Sequence, residues 1–324
     1  MHNADQPEVI EFLETPAAYG VPGVLVQRID THGSVVFLAG DRAYKMKRAV
    51  GFEYMDFSTL ARRKSCCEAE VRLNHRGAPG LYLRALAVTR EDDGGLALAG
   101  AGAPIEWLVE MIRFDQDTLF DHLAASGGLT PDLIDSAAEM IAAYLDGATV
   151  HREAGSADTL PEIVEETARM LAAGAGTVFK SADIDALMQQ SRAEAARLGR
   201  FLDQRRRDGW VRRGHGDLHL RNLCLYQGKP ALFDAIEFND RLAIVDVLYD
   251  LAFLLMDLLR RGLRSAANQI LNRHLEHGRD YDSVGALPLF LSSRAAIRAH
   301  VAVPAAKAQL DPTAAQSIRA EARE

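Results

Sequence analysis

The chain has 324 residues, 48% of them hydrophobic and 25% charged, proportions that exclude a disordered or fibrous protein and allow one or two lobes with a sizeable core. Its 45 acidic side chains outnumber 37 basic ones, for a formal net charge of −8, which argues against a surface that neutralises many nucleic-acid phosphates; no nucleic-acid partner is expected. Cys66, Cys67 and Cys224 show no CxxC spacing and cannot all pair, so neither a zinc site nor a disulfide framework is implied, and a reducing cytoplasm is the simplest setting.

The opening MHNADQPEVIEFLE carries acidic residues and no apolar run, unlike a secretory signal. From Val24 to Arg48 the alternation predicts a β meander: VLVQRID, SVVFLAG, a turn at Gly40-Asp41, then RAYKMKR. A helix is predicted from Ser58, as N-cap, to about Arg76. LYLRALAVT and GLALAG, around the turn EDDGG, and then WLVEMIRF return to strand character. Beyond them the period changes. Thr130-Pro131 is a cap followed by proline at the first helical position, opening a helix that runs to Asp146 before Gly147. Helices are predicted from Leu160 to Gly174, from Ala182 to Gly209, and from about Ala243 onward, with the loop-rich VRRGHGDLHLRNLCLYQGKPALFDAIEF between the last two. The most apolar stretch, AIVDVLYDLAFLLMDLL, contains Asp246, Asp250 and Asp257, charges that suit a buried helix and not a membrane span; no membrane association is expected. A β-rich first part and a helical remainder give a two-lobed α+β layout.

The segment richest in chemistry is His215-Gly216-Asp217-Leu218-His219-Leu220-Arg221-Asn222, followed by Phe233-Asp234. It resembles the signature of the aminoglycoside phosphotransferase and choline kinase group, HGDxHxxN followed by a hydrophobic residue and Asp, a relative of the protein-kinase HRD and DFG pattern. The similarity extends from about residue 8 to about residue 303. It implies a two-lobed protein-kinase-like fold, with residues 1–112 as a small nucleotide-binding lobe and 113–324 as a helical lobe carrying the catalytic loop and the acceptor site. ATP and Mg2+ are the implied cofactors and a small-molecule hydroxyl the implied acceptor.

Phosphoryl transfer needs a carboxylate to orient the attacking hydroxyl and oxygen ligands to hold magnesium on the nucleotide phosphates. By the resemblance, Asp217 is that carboxylate, and Asn222 and Asp234 are the metal ligands, brought back beside each other by the strand pair LCLYQGKPALF. His215 and His219 are structural parts of the motif. In VDVLYDLA, similar to the family's DPxYDLA with Val247 in place of proline, Asp250 braces the loop. Two other readings of the same letters are a hydrolase metal site at His215, Asp217 and His219, for which the scattered remaining histidines supply no further ligand, and a purely structural turn, which leaves Asn222 and Asp234 unexplained.

A kinase-like reading also makes demands upstream. Lys45 stands on the third strand, where a lysine would reach the phosphates; Lys47, on the same strand face, is the alternative. Glu70 fits the spacing of its helix partner better than Glu68. The turn Asp30-Thr31-His32-Gly33-Ser34 would cover the phosphates with backbone amides and the hydroxyls of Thr31 and Ser34. The backbone of Val109-Glu110-Met111 would meet the adenine edge. For the acceptor two clues disagree: Glu237, Asn239 and Asp240 suit an amine, whereas Arg294 and Arg298, one helical turn apart, suit a carboxylate or phosphate.

The phrases VFLAGDRAYKMKRAV, DFSTLARRK, FDAIEFNDRLA and DVLYDLAFLLMDL are most similar to a subgroup in which this kinase-like half precedes an ATP-binding domain with GxxxxGK[ST]. That P-loop motif does not occur in these residues and is expected only in longer relatives. The rival function is a nucleotide-binding regulatory module that keeps the fold without the chemistry, motivated by the glycine-poor turn and the missing partner domain.

Overall fold

The computed structural model describes residues 6–21, 23–52, 54–154, 159–172, 174–176, 178–308, 316 and 320; the end of the chain, read above as a helix, lies otherwise outside them. In chain order the regular elements are α1 (Gln6–Leu13), β1 (Val26–Asp30), β2 (Ser34–Ala39), β3 (Arg42–Lys47), the short β4 (Gly51–Phe52) and β5 (Met55–Asp56), and α2 (Leu60–Asn74). There follow β6 (Tyr82–Arg90), β7 (Leu96–Leu98), β8 (Ala103–Ile112), α3 (Phe120–Ser126), α4 (Pro131–Asp146), α5 (Thr159–Ala172), α6 (Ser181–Asp208) and β9 (Val211–Arg213). The chain closes with β10 (Leu223–Tyr226), β11 (Lys229–Leu232), α7 (Asp240–Ala243), β12 (Ile244–Asp246), α8 (Val247–Arg260), α9 (Arg264–Gly278) and α10 (Leu287–Ala308).

These elements form two compact units. The first holds the chain up to Ser126 together with Arg221–Asp240, and the second holds Gly127–Leu220 and the chain from Arg241. The sheet of the first unit ends at Ile112, but its compact packing continues through α3 and takes back the β10–β11 hairpin.

The first unit is an antiparallel six-stranded sheet in the order β1-β2-β3-β8-β6-β7. Alternate residues of β2 serve its two faces, as the period of a strand requires. Val35 and Phe37 join Val9 and Leu13 of α1 in one core cluster, while Leu38 joins Cys67 of α2, Val109 and Cys224 in the other. Gly40, at φ +60°, supplies the left-handed turn that returns β2 into β3. Sequence reasoning misses α1 and α3, each too short to show a period. It places the cap of α2 one residue early: Thr59 Oγ1 accepts the Arg62 amide at 3.3 Å, while the Ser58 hydroxyl bonds Asp56.

The second unit is helical, and α8 is its centre: every residue from Val247 to Leu258 is buried. Asp246 caps α8 by accepting the Leu248 amide at 2.9 Å and also takes a bidentate pair from Arg205, whose buried guanidinium is shared with Asp280. The Thr130 cap, Pro131 at the first helical position and Gly209 in the left-handed conformation after α6 match the sequence signals. Among the described residues no helix is long and apolar enough to cross a membrane, and the three cysteines are free.

Candidate active site

One cluster of charged residues of the first unit meets on the face of β3 that looks towards α2. Lys45 and Lys47, two positions apart on a strand in the middle of the sheet, both point there. Each takes one oxygen of a single carboxylate: Lys45 Nζ lies 2.8 Å from Glu70 Oε1 and Lys47 Nζ 2.6 Å from Glu70 Oε2. Lys45 also reaches Asp234 Oδ1 at 2.5 Å, and Lys47 pairs with Glu237. Glu70 is 0% and Lys47 1% exposed, whereas the Asp234 side chain keeps 42%, so the cluster opens to solvent at Asp234. Glu68, by contrast, faces outward to Lys64 at 3.8 Å.

Electrostatics follow from this arrangement. Burial pushes the Glu70 carboxyl up, but the ammonium groups of Lys45 and Lys47 outweigh it and hold it down at about 2. Burial favours neutral Lys45, yet the charges of Asp234, Glu70 and Glu237 keep it well above the usual lysine range. Glu237 moves the other way: its burial raises it, Lys47 pulls it down, and the Glu70 charge adds to the rise.

Asp234 is fixed by its backbone. The β10–β11 hairpin folds back so that the Phe233 amide donates to the Asn222 carbonyl at 3.0 Å, setting Asn222 next to the Phe233–Asp234 pair. Asp234 itself adopts φ +63°, a conformation uncommon for a residue with a side chain. Its neighbours impose it: the Asp234 amide donates to Tyr82 Oη at 3.0 Å and the Ala235 amide to Asn74 Oδ1 at 2.8 Å, while Asn74 Nδ2 donates to the Glu70 carbonyl at 2.9 Å. The hairpin docks through Leu232, whose amide donates to the Gly77 carbonyl at 2.9 Å; a Cβ at Gly77 would stand 2.3 Å from the Leu232 oxygen. The sequence carries no signal for Gly77 or Tyr82, whereas Asn74, four residues after Glu70, belongs to the spacing that favours Glu70 over Glu68.

Other residues expected at the site in this unit are engaged elsewhere. The Thr31 hydroxyl closes its own turn, accepting the Ser34 amide and donating to the Ser34 carbonyl, both at 3.0 Å. β8 is paired with β3 on one side and β6 on the other, and Glu110 and Met111 lie within that paired stretch, beside a register shift in β6 between Tyr82 and Arg84. The Glu110 carboxylate meets Arg84 at 2.7 Å and Tyr44 Oη at 3.3 Å, and Met111 is buried. Glu237 is turned into the cluster by Lys47, and Asn239 Nδ2 donates to the Tyr54 carbonyl at 3.0 Å.

In the second unit the segment Gly214–Leu220 rests on one face of α8, formed by Asp250, Phe253 and Asp257. The Asp250 carboxylate accepts the His215 amide at 2.6 Å and the Gly216 amide at 2.9 Å, and Asp257 accepts the Leu220 amide at 3.2 Å. The His219 ring stands edge-on to Phe253 at 5.3 Å. The loop needs glycine twice: a Cβ at Gly214 would lie 2.2 Å from Asp250 Oδ2, and Gly216 has φ +84°.

At its tip stands Asp217, with a side chain 39% exposed and Oδ2 3.2 Å from His219 Nε2. Its amide donates to His215 Nδ1 at 3.3 Å. Crowding by surrounding protein pushes the Asp217 carboxyl up, but His219, His215 and Arg294 together hold it well below the usual carboxylate range. Both histidines thus contact Asp217, through its amide and through Oδ2.

Arg294, expected to face an anionic substrate, is buried beneath this loop. It donates to the Tyr249 carbonyl at 3.1 Å and the Gly216 carbonyl at 3.3 Å, and its guanidinium lies 4.0 Å over the Tyr249 ring. Arg298, one turn on along α10, is half-buried.

No family model matches the chain. Uncharacterised proteins of Mycobacterium tuberculosis (strain H37Rv) and Mycobacterium bovis are each 29% identical over 285 residues, covering 84% of this chain and 53% of theirs. The chain therefore spans about half the length of the curated relatives it matches. Among solved structures, a choline/ethanolamine kinase family protein from Mesorhizobium loti superposes with a TM-score of 0.58 at 12% identity, over 99% of this chain and 94% of that one. The GDP complex of aminoglycoside 2'-phosphotransferase-IIIa gives 0.56 at 12% identity, over 98% and 97%. The ternary complex of an aminoglycoside phosphotransferase APH(4)-Ia mutant with AMP-PNP and hygromycin B gives 0.55 at 14%, over 98% and 96%. At these identities the likeness is one of fold: the chain has the kinase-like α+β fold of these phosphotransferases.

Proposed function

We propose that the chain is an ATP- and magnesium-dependent phosphotransferase that moves the γ-phosphoryl group to a hydroxyl of a small molecule in the cytoplasm, with Asp217 as the catalytic carboxylate. The observation that carries this reading is the convergence on Lys45 Nζ of carboxylates from positions 70 and 234, a lysine, a helix glutamate and a loop aspartate far apart in sequence. That combination suits nucleotide phosphates and their metal. Structures of the same fold hold GDP, or AMP-PNP with hygromycin B, which supports a purine nucleotide and a polyhydroxylated acceptor.

The residues fit these roles chemically. An ammonium has three donors; two of those of Lys45 go to Glu70 and Asp234, which leaves one for a phosphate oxygen. Magnesium takes oxygen ligands, keeps several waters and needs only one or two carboxylates beside the phosphates, so the partly exposed Asp234 and the amide oxygen of Asn222 are a suitable donor set. Bound there, the ion would neutralise charge on the phosphates. Asp217, held well below the usual carboxylate range, is ionised at neutral pH and would accept a hydrogen bond from the acceptor hydroxyl. A carboxylate of such low basicity orients the hydroxyl and takes its proton late, as the new P–O bond forms.

The alternative, a nucleotide-binding module without transfer, draws on the Thr31 turn, whose hydroxyl is spent on its own backbone. One experiment separates the two: purified protein with ATP and magnesium, screened against hydroxyl-bearing acceptors with a phosphate-release control. Transfer that falls at least ~100-fold in Asp217→Ala while ATP still binds supports the enzyme. Binding with no transfer to any acceptor favours the module, and turnover indifferent to Asp217→Ala sinks the assignment of that residue.

A further inference from the structure

We propose that Lys47 is a positioning residue of the nucleotide site, an internal anchor that sets the Glu70 carboxylate and the segment following Asp234 without touching the ligand itself; the inference rests on the phosphotransferase reading above. The two lysines of β3 divide Glu70 between them, one oxygen each. Lys45 is the one that reaches outward, to the half-open Asp234. Lys47 is 1% exposed and enclosed by Glu70 Oε2 at 2.6 Å, by Glu237, and by the face of the Phe57 ring, whose centroid lies 4.9 Å from Nζ. Two of its donors are on carboxylates, and an ammonium so deeply enclosed does not present the third to a ligand entering from solvent.

What it holds is specific. Glu237 stands three residues after Asp234, and the residues after it are fastened to the same neighbourhood: Phe238 meets Phe57 edge-on at 5.9 Å and Asn239 bonds the Tyr54 carbonyl. Lys47 is in turn held by α1, where Gln6 Nε2 donates to the Lys47 carbonyl at 2.8 Å and Gln6 Oε1 accepts the Ala49 amide at 2.8 Å. One ammonium therefore ties the central strand, the helix bearing Glu70 and the strip of chain bearing Asp234 into one frame. Buried ion pairs are weak contributors to stability when compared with apolar residues of similar volume. Their use here is orientation: Glu70 cannot swing away from Lys45 while Lys47 grips its other oxygen, and Asp234 cannot drift while Glu237 is held.

The test removes the anchor without changing the formal net charge of the cluster. Lys45 and Lys47 against Glu70, Asp234 and Glu237 sum to −1; in K47M/E237L, Lys45 against Glu70 and Asp234 is again −1. Binding of ATP with magnesium to the full chain, by calorimetry, is expected to weaken ~10-fold or more in this double variant while its melting temperature stays near that of the wild type. A purely structural role would lower the melting temperature and leave Kd alone, and an unchanged Kd overturns the proposal.

Should the double variant fail to fold, E237L carries the question, since it removes one partner of Lys47 and keeps the Lys47 bond to Glu70. It is expected to lose the magnesium-dependent gain in nucleotide affinity and to keep the affinity measured with EDTA; an unaltered magnesium dependence overturns the anchoring of Asp234. A wild-type chain that binds no ATP at all defeats the phosphotransferase reading and this inference with it, an outcome distinct from normal wild-type binding that the variants leave intact.

Discussion

Asp217 and His219 share a contact that makes a prediction about pH. The imidazole of His219, 3.2 Å from Asp217 Oδ2, is the foremost of the groups that hold the Asp217 carboxyl low against the opposing effect of burial. In His219→Gln that support is lost, so Asp217 should protonate at a higher pH, and the acidic limb of the kcat/KM profile should move upward. A profile that only drops in height, with its acidic limb in place, would mean that His219 supports the loop and not the charge of Asp217. A second prediction concerns Glu70, held at about 2 against an ordinary 4.5. A carboxyl lowered by folding contributes stability above its unfolded value and loses it as pH falls towards its folded one, here between about 4.5 and about 2. The stability gap between wild type and Glu70→Gln should thus be widest near neutrality and close towards pH 2, as followed by urea denaturation. At this scale much was legible: the motif named Asp217, Asn222 and Asp234, and strand spacing named Lys45. Periodicity cannot choose between Lys45 and Lys47, because both lie on one strand face, and the choice is made by partners at positions 234 and 237 that local pattern does not see. The contact of Tyr82 with the Asp234 amide was invisible for the same reason, and so was that of Asn74 with the Ala235 amide, each joining residues more than 150 positions apart.

Two elements do most of the placing, one in each unit. In the second, α8 offers Asp250, Phe253 and Asp257, at spacings that share a helix face, to the loop bearing Asp217. The aspartates of this apolar run argue against a membrane span, and the family likeness assigns Asp250 to bracing the loop; the buried carboxylates of Asp250 and Asp257 accept loop amides that would otherwise go unpaired, while Asp246 caps α8. In the first unit the β10–β11 hairpin is docked by the close approach of Gly77 to Leu232. Gly77→Ala forces backbone against backbone, so it should cost about 1–3 kcal/mol of stability and loosen Asp234, read as a lower melting temperature together with weaker magnesium-dependent nucleotide binding. A loss of stability with magnesium dependence unchanged would detach the hairpin from the placing of Asp234. Helices with caps and a 3.6-residue period were readable in advance. So was the strand pair of the β10–β11 hairpin; the short α1 and α3 were not, because their positions are fixed by tertiary contacts and not by their own propensity.

For the molecule as a whole, the division of labour proposed for the two units can be probed by linkage. Lys45, Glu70, Asn222 and Asp234 belong to the first unit and Asp217 to the second. A ligand that binds only the folded state stabilises it by about 2.7 kcal/mol at a hundred times its Kd. ATP with magnesium at that level should therefore raise the melting temperature of the chain, and calorimetry should place the rise in the transition that unfolds the first unit. Asp234→Asn should lose the part of the rise that depends on magnesium. Asp217→Ala should keep the rise almost whole while abolishing transfer, because its carboxylate acts on the acceptor and not on the nucleotide. If Asp217→Ala instead erased the stabilisation, nucleotide binding would require the second unit as well, and the sequence-based assignment of the nucleotide to the β-rich part alone would fail.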